Sequence, residues 1–209
     1  MLKLWMVPKN LPLKIVSKQE DYWAKSLSKI KKREYLHSRG YIRHILGELL
    51  NIKPLEVKLI APPNKPPKLN LDIKRYISIS HCLDYLFFGY STFPIGLDIE
   101  RIDRKIFASK IVKRFYSKQE KKILNELTPL EYHENTLKLW VSKESAIKWA
   151  KGSLYKDISH WECNTDSKII SNHKTNVAIN FSTFQLQNWF LSIASKRKHY
   201  SPELIVCLY

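Results

Sequence analysis

Trp140-Val141-Ser142-Lys143-Glu144-Ser145-Ala146-Ile147-Lys148 is the stretch around which this chain is organised. It reads as the end of a helix that starts at Thr128-Pro129-Leu130-Glu131, where a capping threonine, a proline and a glutamate follow in the order a helix start prefers. Gly152 is the natural stop. Trp140, Glu144 and Lys148 are spaced by four and share one helix face. As an exposed ion pair Glu144 and Lys148 would contribute only about 0.2–0.5 kcal/mol. Two features argue for more: the pair is flanked by the large apolar residues Trp140 and Ile147, and a second acidic cluster lies upstream.

That cluster is Gly96-Leu97-Asp98-Ile99-Glu100. On a strand, Asp98 and Glu100 project to one face while Leu97 and Ile99 enter the core. Adjacent carboxylates repel and raise each other's pKa unless a cation lies between them. With Glu144 they offer three oxygen ligands to one hard divalent ion, and Lys148, a turn beyond, would meet a phosphate bound to it. The bland reading of Asp98 and Glu100 is a solvated sheet face with Arg101 nearby.

Composition fits phosphate chemistry. The chain has 36 Lys and Arg against 19 Asp and Glu, a formal charge of +17. Residues 1–100 carry 17 cations and 9 acids, and residues 101–209 carry 19 and 10, so the excess is no detachable tail. Such a surface expects a polyanion, an acidic protein or a phosphate-rich small molecule. With only 5 glycines there is no phosphate-cradling Gly-rich loop, so cations and a metal would hold the phosphates. Three cysteines, Cys82, Cys163 and Cys207, lack metal-like spacing and point to a reduced, cytoplasmic protein. No apolar run approaches the ~18 residues of a membrane span, and Met1 to Asn10 has no secretory pattern.

In chain order, Leu2 to Val7 reads as a strand, and Ser17-Lys18-Gln19-Glu20 as a capping box opening a cation-rich helical segment to about Leu50, with Gly40 a possible break. Arg43 sits there among Ile42, Ile45 and Leu46, and a buried arginine wants an anionic partner. Four prolines in Pro62–Pro67 make a stiff loop that fixes where Lys65 points. Tyr76–Ser80, Tyr85–Tyr90 and Ile95–Ile99 read as an antiparallel meander. Ser80-His81 at the end of the first of these strands fits an anion contact better than a hydrolase. Lys105–Tyr116 is helical in pattern. Ser117-Lys118-Gln119-Glu120 repeats the tetrapeptide at Ser17 with an offset of 100, which hints at two similar halves. Val177–Phe181, Trp189–Ile193 and Leu204–Leu208 read as further strands.

Together Ser78-x-Ser80-His81, Gly96–Glu100, Phe115-Tyr-Ser-Lys-Gln-Glu120 and Trp140-x-x-Lys-Glu-Ser-x-x-Lys148 resemble the Sfp-type 4′-phosphopantetheinyl transferases, over about residues 20 to 160. The resemblance implies an α+β fold of two similar α/β halves related by a pseudo-twofold axis, each with a small antiparallel sheet against a long helix, and the break in the sequence near Ile102 to Arg104 divides them as 1–102 and 103–209. It implies a monomer that moves 4′-phosphopantetheine from coenzyme A to a serine of an apo acyl or peptidyl carrier protein. Asp98, Glu100 and Glu144 would bind magnesium, Glu144 doubling as general base. Lys148 would contact the pyrophosphate, and Arg43, Lys65, Ser80, His81 and Lys143 the coenzyme A, joined by one or more of Lys29, Lys31 and Lys32. Departures at Leu97, Val141 and Cys82 touch none of these ligands. The alternative that charge and 12% aromatic content suggest is a basic nucleic-acid-binding protein.

Overall fold

The computed structural model describes residues 1–198 and 203–206. Their packing groups the chain into two compact units, Met1–Phe93 with the strand Glu203–Val206, and the described residues from Pro94 onward. The first contains β1 (Leu2–Pro8), α1 (Lys18–Ala24), α2 (Lys29–Leu50), β2 (Leu59–Ile60), β3 (Lys68–Leu69), β4 (Tyr76–Cys82) and β5 (Tyr85–Ser91). The second contains β6 (Gly96–Arg101), α3 (Ala108–Phe115), α4 (Lys118–Asn125), α5 (Pro129–Trp149), α6 (Leu154–Asp157), β7 (Trp161–Asn164), β8 (Ile169–Asn172), β9 (Val177–Leu186) and β10 (Trp189–Ser195). Strand β11 (Glu203–Val206) returns to the first. Cys207 and the end of the expected last strand lie outside the described residues. The fold is α+β.

In the first unit the sheet order is β11-β1-β5-β4, antiparallel except for β11 beside β1. The apolar side of α2, with Tyr41, Ile42, Ile45 and Leu46, packs on Trp5, Val7, Ile77, Leu86, Phe88 and Tyr90 from that sheet. The helical segment expected to begin at Ser17 is two helices, each opened by a serine, Ser17 and Ser28. Gly40 does not break α2. A Cβ there would lie 2.6 Å from the Lys14 carbonyl oxygen, so its smallness lets the chain before α1 cross the helix.

The expected meander stops after two strands. One edge of β5 pairs with β4 and the other with β1, which leaves no edge for β6. Instead β6 opens the second sheet, ordered β6-β10-β9-β8-β7 and antiparallel throughout. The acidic strand therefore goes with the second unit. Across this sheet lies α5. Leu139, Ala146 and Ile147 pack with Trp161, Ile170, Ile179 and Phe181, while Leu137 and Val141 meet Phe190. The helix ends at Trp149, and Lys151 (φ 56°) takes the left-handed turn in place of Gly152, whose N–H then bonds the Ile147 carbonyl at 2.9 Å.

Both repeated tetrapeptides are capping boxes. The Ser17 and Ser117 N–H groups donate to Glu20 and Glu120 Oε2 at 2.9 and 2.8 Å, and each glutamate N–H returns to its serine Oγ at 3.2 Å. A capping-box glutamate is normally solvated, but these two are buried.

Candidate active site

Alternation along β6 sends Leu97 and Ile99 to one face and Asp98 and Glu100 to the other, yet both faces are covered: Asp98 is 2% and Glu100 9% exposed. The cover is α5, and Gly96 admits it. A Cβ at Gly96 would stand 1.9 Å from the Ser145 carbonyl oxygen and 2.4 Å from the Trp149 nitrogen, so the helix backbone rests directly on the strand. Small polar residues complete the seam. Ser145 Oγ meets Ser192 Oγ of β10 at 3.1 Å, and Ser142 Oγ meets Thr183 Oγ1 of β9 at 2.9 Å. Both of these serine hydroxyls also bond a carbonyl of their own helix, Ser142 to Lys138 and Ser145 to Ser142, so the donors of this seam are satisfied.

This close approach delivers Glu144 to the acidic strand. One carboxylate oxygen each from Asp98, Glu100 and Glu144 lies within 4.8 Å of the others. Lys148 Nζ donates to Asp98 Oδ1 at 2.6 Å, and Arg104, in the turn after β6, pairs with Glu100. Burial pushes the Glu144 carboxyl up to about 8, and the Asp98 charge adds to the rise. Lys148 opposes it, Glu100 reinforces it, and the Trp140 indole opposes it. An all-oxygen set of three carboxylates that resist sharing a site suits a hard divalent ion such as magnesium, and offers nothing to a soft metal.

A pH dependence follows. The unfolded chain releases the Glu144 proton near 4.5 and the folded chain near 8, so between these values the folded state binds more protons and stability falls as pH rises. Without divalent cations, the thermal midpoint of the wild type will drop relative to that of Glu144→Gln from about pH 5 to about pH 8.5. Scanning fluorimetry of both proteins across that range checks it, and parallel curves count against it.

The other expected ligand contacts divide. Lys65 is exposed in the turn after Pro62, His81 is exposed near the end of β4, and Ser80 beside it is buried. Lys29 and Lys31 are exposed in the first turn of α2 with Lys32 half-buried, so three cations add to the positive end of the helix dipole. Two residues are differently placed. Arg43 is buried, its Nε donating to Glu20 Oε2 at 2.7 Å and its other nitrogens to the carbonyls of Val57 (2.6 Å), Pro54 and Leu59 (both 3.3 Å). Lys143 is 0% exposed and donates to Glu120 Oε2 at 2.7 Å. Both cations are turned into the protein because a buried capping-box carboxylate demands a counter-charge.

Sequence reasoning missed Arg104 and Glu120. A signal for Glu120 was present: each Ser-x-x-Glu is followed, 23 residues after its glutamate, by a cation on the long helix.

Residues 94–200 match a family model described as the 4′-phosphopantetheinyl transferase superfamily, and that span holds Asp98, Glu100, Glu144 and Lys148. The 4′-phosphopantetheinyl transferase gsp of Aneurinibacillus migulanus is 28% identical over 155 residues, 68% of this chain and 63% of its own length. A Synechocystis protein provisionally named a 4′-phosphopantetheinyl transferase is 26% identical over 159 residues, 70% of this chain and 63% of its own length. The chain thus spans less than two thirds of either relative.

Proposed function

Because this chain belongs to the 4′-phosphopantetheinyl transferase superfamily, we propose that it transfers 4′-phosphopantetheine from coenzyme A to a serine hydroxyl of an apo acyl or peptidyl carrier protein, releasing 3′,5′-ADP. The observation that carries this reading is the buried acidic set, three carboxylate oxygens within 4.8 Å, with Lys148 against it. Magnesium held by Asp98, Glu100 and Glu144 would stabilise charge on the pyrophosphate. Glu144 takes the proton of the carrier serine as general base. The serine oxygen bonds to the β-phosphorus as the bond from that phosphorus to the ADP oxygen breaks. Lys148 shifts from Asp98 toward the leaving phosphate and balances its charge.

Lys65, Ser80 and His81, with one or more of Lys29, Lys31 and Lys32, serve as coenzyme A contacts in this reading. Arg43 and Lys143 leave that set because both are buried and donate to Glu20, Glu120 and backbone carbonyls inside the protein. The formal +17 favours encounter with an acidic carrier. The buried thiol of Cys163 suits a reducing cytoplasm, no helix among the described residues is long and apolar enough to cross a membrane, and we take the working form to be a monomer. The recurrence of the buried capping-box pair in each unit supports two similar halves. Nucleic-acid binding, which charge and aromatic content suggested, is not retained, since no specific observation favours it.

Incubation with coenzyme A, magnesium and a panel of apo carriers, read by intact mass, tests the reading. A 4′-phosphopantetheine mass increase on at least one carrier, lost when magnesium is chelated, is expected. No increase on any carrier would sink it.

A further inference from the structure

Glu120 and Lys143 are buried side by side in the second unit, and neither belongs to the acidic set. Glu120 is 1% and Lys143 0% exposed. The Glu120 carboxylate joins three elements: Oε2 accepts from Lys143 Nζ of α5 at 2.7 Å and from the Ser117 N–H that caps α4 at 2.8 Å, and Oε1 accepts from the Cys163 N–H of β7 at 2.9 Å. Lys143 Nζ also donates to the Phe115 carbonyl at 3.2 Å and lies 4.7 Å from the centre of the Tyr116 ring. The Tyr116 hydroxyl donates to the Thr136 carbonyl, two turns earlier on α5, at 2.6 Å.

We propose that the Glu120–Lys143 pair is a positioning device that fixes the axial place and rotation of α5 so that Glu144, the next residue, meets Asp98 and Glu100. Apolar packing is non-directional and would tolerate a helix that slides or turns slightly. A lysine bound to a carboxylate that is itself held by two backbone N–H groups does not. Burying an ion pair is a weak way to gain stability, since an apolar pair of the same size often serves as well or better. Such a pair in the core is therefore better explained by the geometry it imposes. Ligands of a metal must be held to about half an ångström, a demand that falls on the groups behind them.

The inference rests on reading the acidic set as a divalent-ion site, and the test separates the two. In the double variant Glu120→Gln with Lys143→Met, both charges go and the volumes stay. Its thermal midpoint should lie well above that of Lys143→Met alone, which strands the Glu120 charge, although the amide can accept from only one of the Ser117 and Cys163 N–H groups. Its affinity for Mn2+, followed by electron paramagnetic resonance, should nevertheless remain about tenfold weaker than wild type. A double variant with both wild-type stability and wild-type Mn2+ affinity would show that the pair is only structural and overturn the inference. If the wild type itself binds no Mn2+, the metal reading falls and this inference with it. Should the double variant not fold, Glu120→Gln alone, which keeps the side chain's size and breaks one of its anchors, must still weaken Mn2+ binding several-fold, and unchanged affinity there is equally fatal.

Discussion

Glu144→Gln will lower pantetheinyl transfer by about 10³-fold, within the span set by loss of a general base, while raising the thermal midpoint at alkaline pH. Both effects come from one placement. The carboxyl is half-buried beside Asp98 and Glu100, and burial with the Asp98 charge lifts its pKa to about 8. On the proposed reading an amide of the same size removes the base and a metal ligand, and it also removes the repulsion that opposes folding once the acid ionises. Transfer kinetics by mass, thermal midpoints near pH 8.5 and Mn2+ titration give three readouts on one variant. A variant that is inactive because it is unfolded fails the second. A variant that keeps transfer within a few-fold of wild type removes Glu144 from the chemistry.

Gly96→Ala is expected to be the most damaging substitution to the fold, costing about 3–5 kcal/mol, at the upper end for a single change. The added carbon would sit 1.9 Å from a main-chain oxygen of α5 and 2.4 Å from a main-chain nitrogen. Neither can rotate away, so the helix must lift from β6 and carry Glu144 with it. Gly152→Ala is the control. The atom met there is Asp157 Oδ2 at 2.5 Å, the far end of a side chain that can move. Urea unfolding of both variants checks the contrast, and a Gly96→Ala protein within about 1 kcal/mol of wild type contradicts the close approach.

What the sequence made legible was local. Period-two alternation placed Asp98 and Glu100 on one side of a strand, and the spacing of Glu144 and Lys148 placed both on one helix face. Neither pattern reveals that Lys148 pairs with Asp98, because that contact joins residues 50 apart and depends on α5 crossing β6 at Gly96. The failure of the expected meander has the same origin: strand pairing is decided by which edges are free, and β1 had already taken the edge of β5. Arg43 was understood as a buried arginine seeking an anion. The anion turned out to be Glu20, a residue whose sequence context spoke only of capping. A motif with a complete local explanation hides a second, tertiary one.

The frame of Ser17, Glu20 and Arg43 recurs as Ser117, Glu120 and Lys143, with the carboxylate–cation distance 2.7 Å in each. The residue after the cation is His44 in one case and Glu144 in the other, and a turn later stand Glu48 and Lys148. Such a recurrence relaxes natural selection on one copy. On the proposed reading the constraint of chemistry falls on the residues following Lys143, while the positions following Arg43 can drift as long as the shared frame survives. Among homologous chains, substitution should therefore run slow at Glu144 and Lys148, fast at His44 and Glu48, and equally slow at both capping-box glutamates.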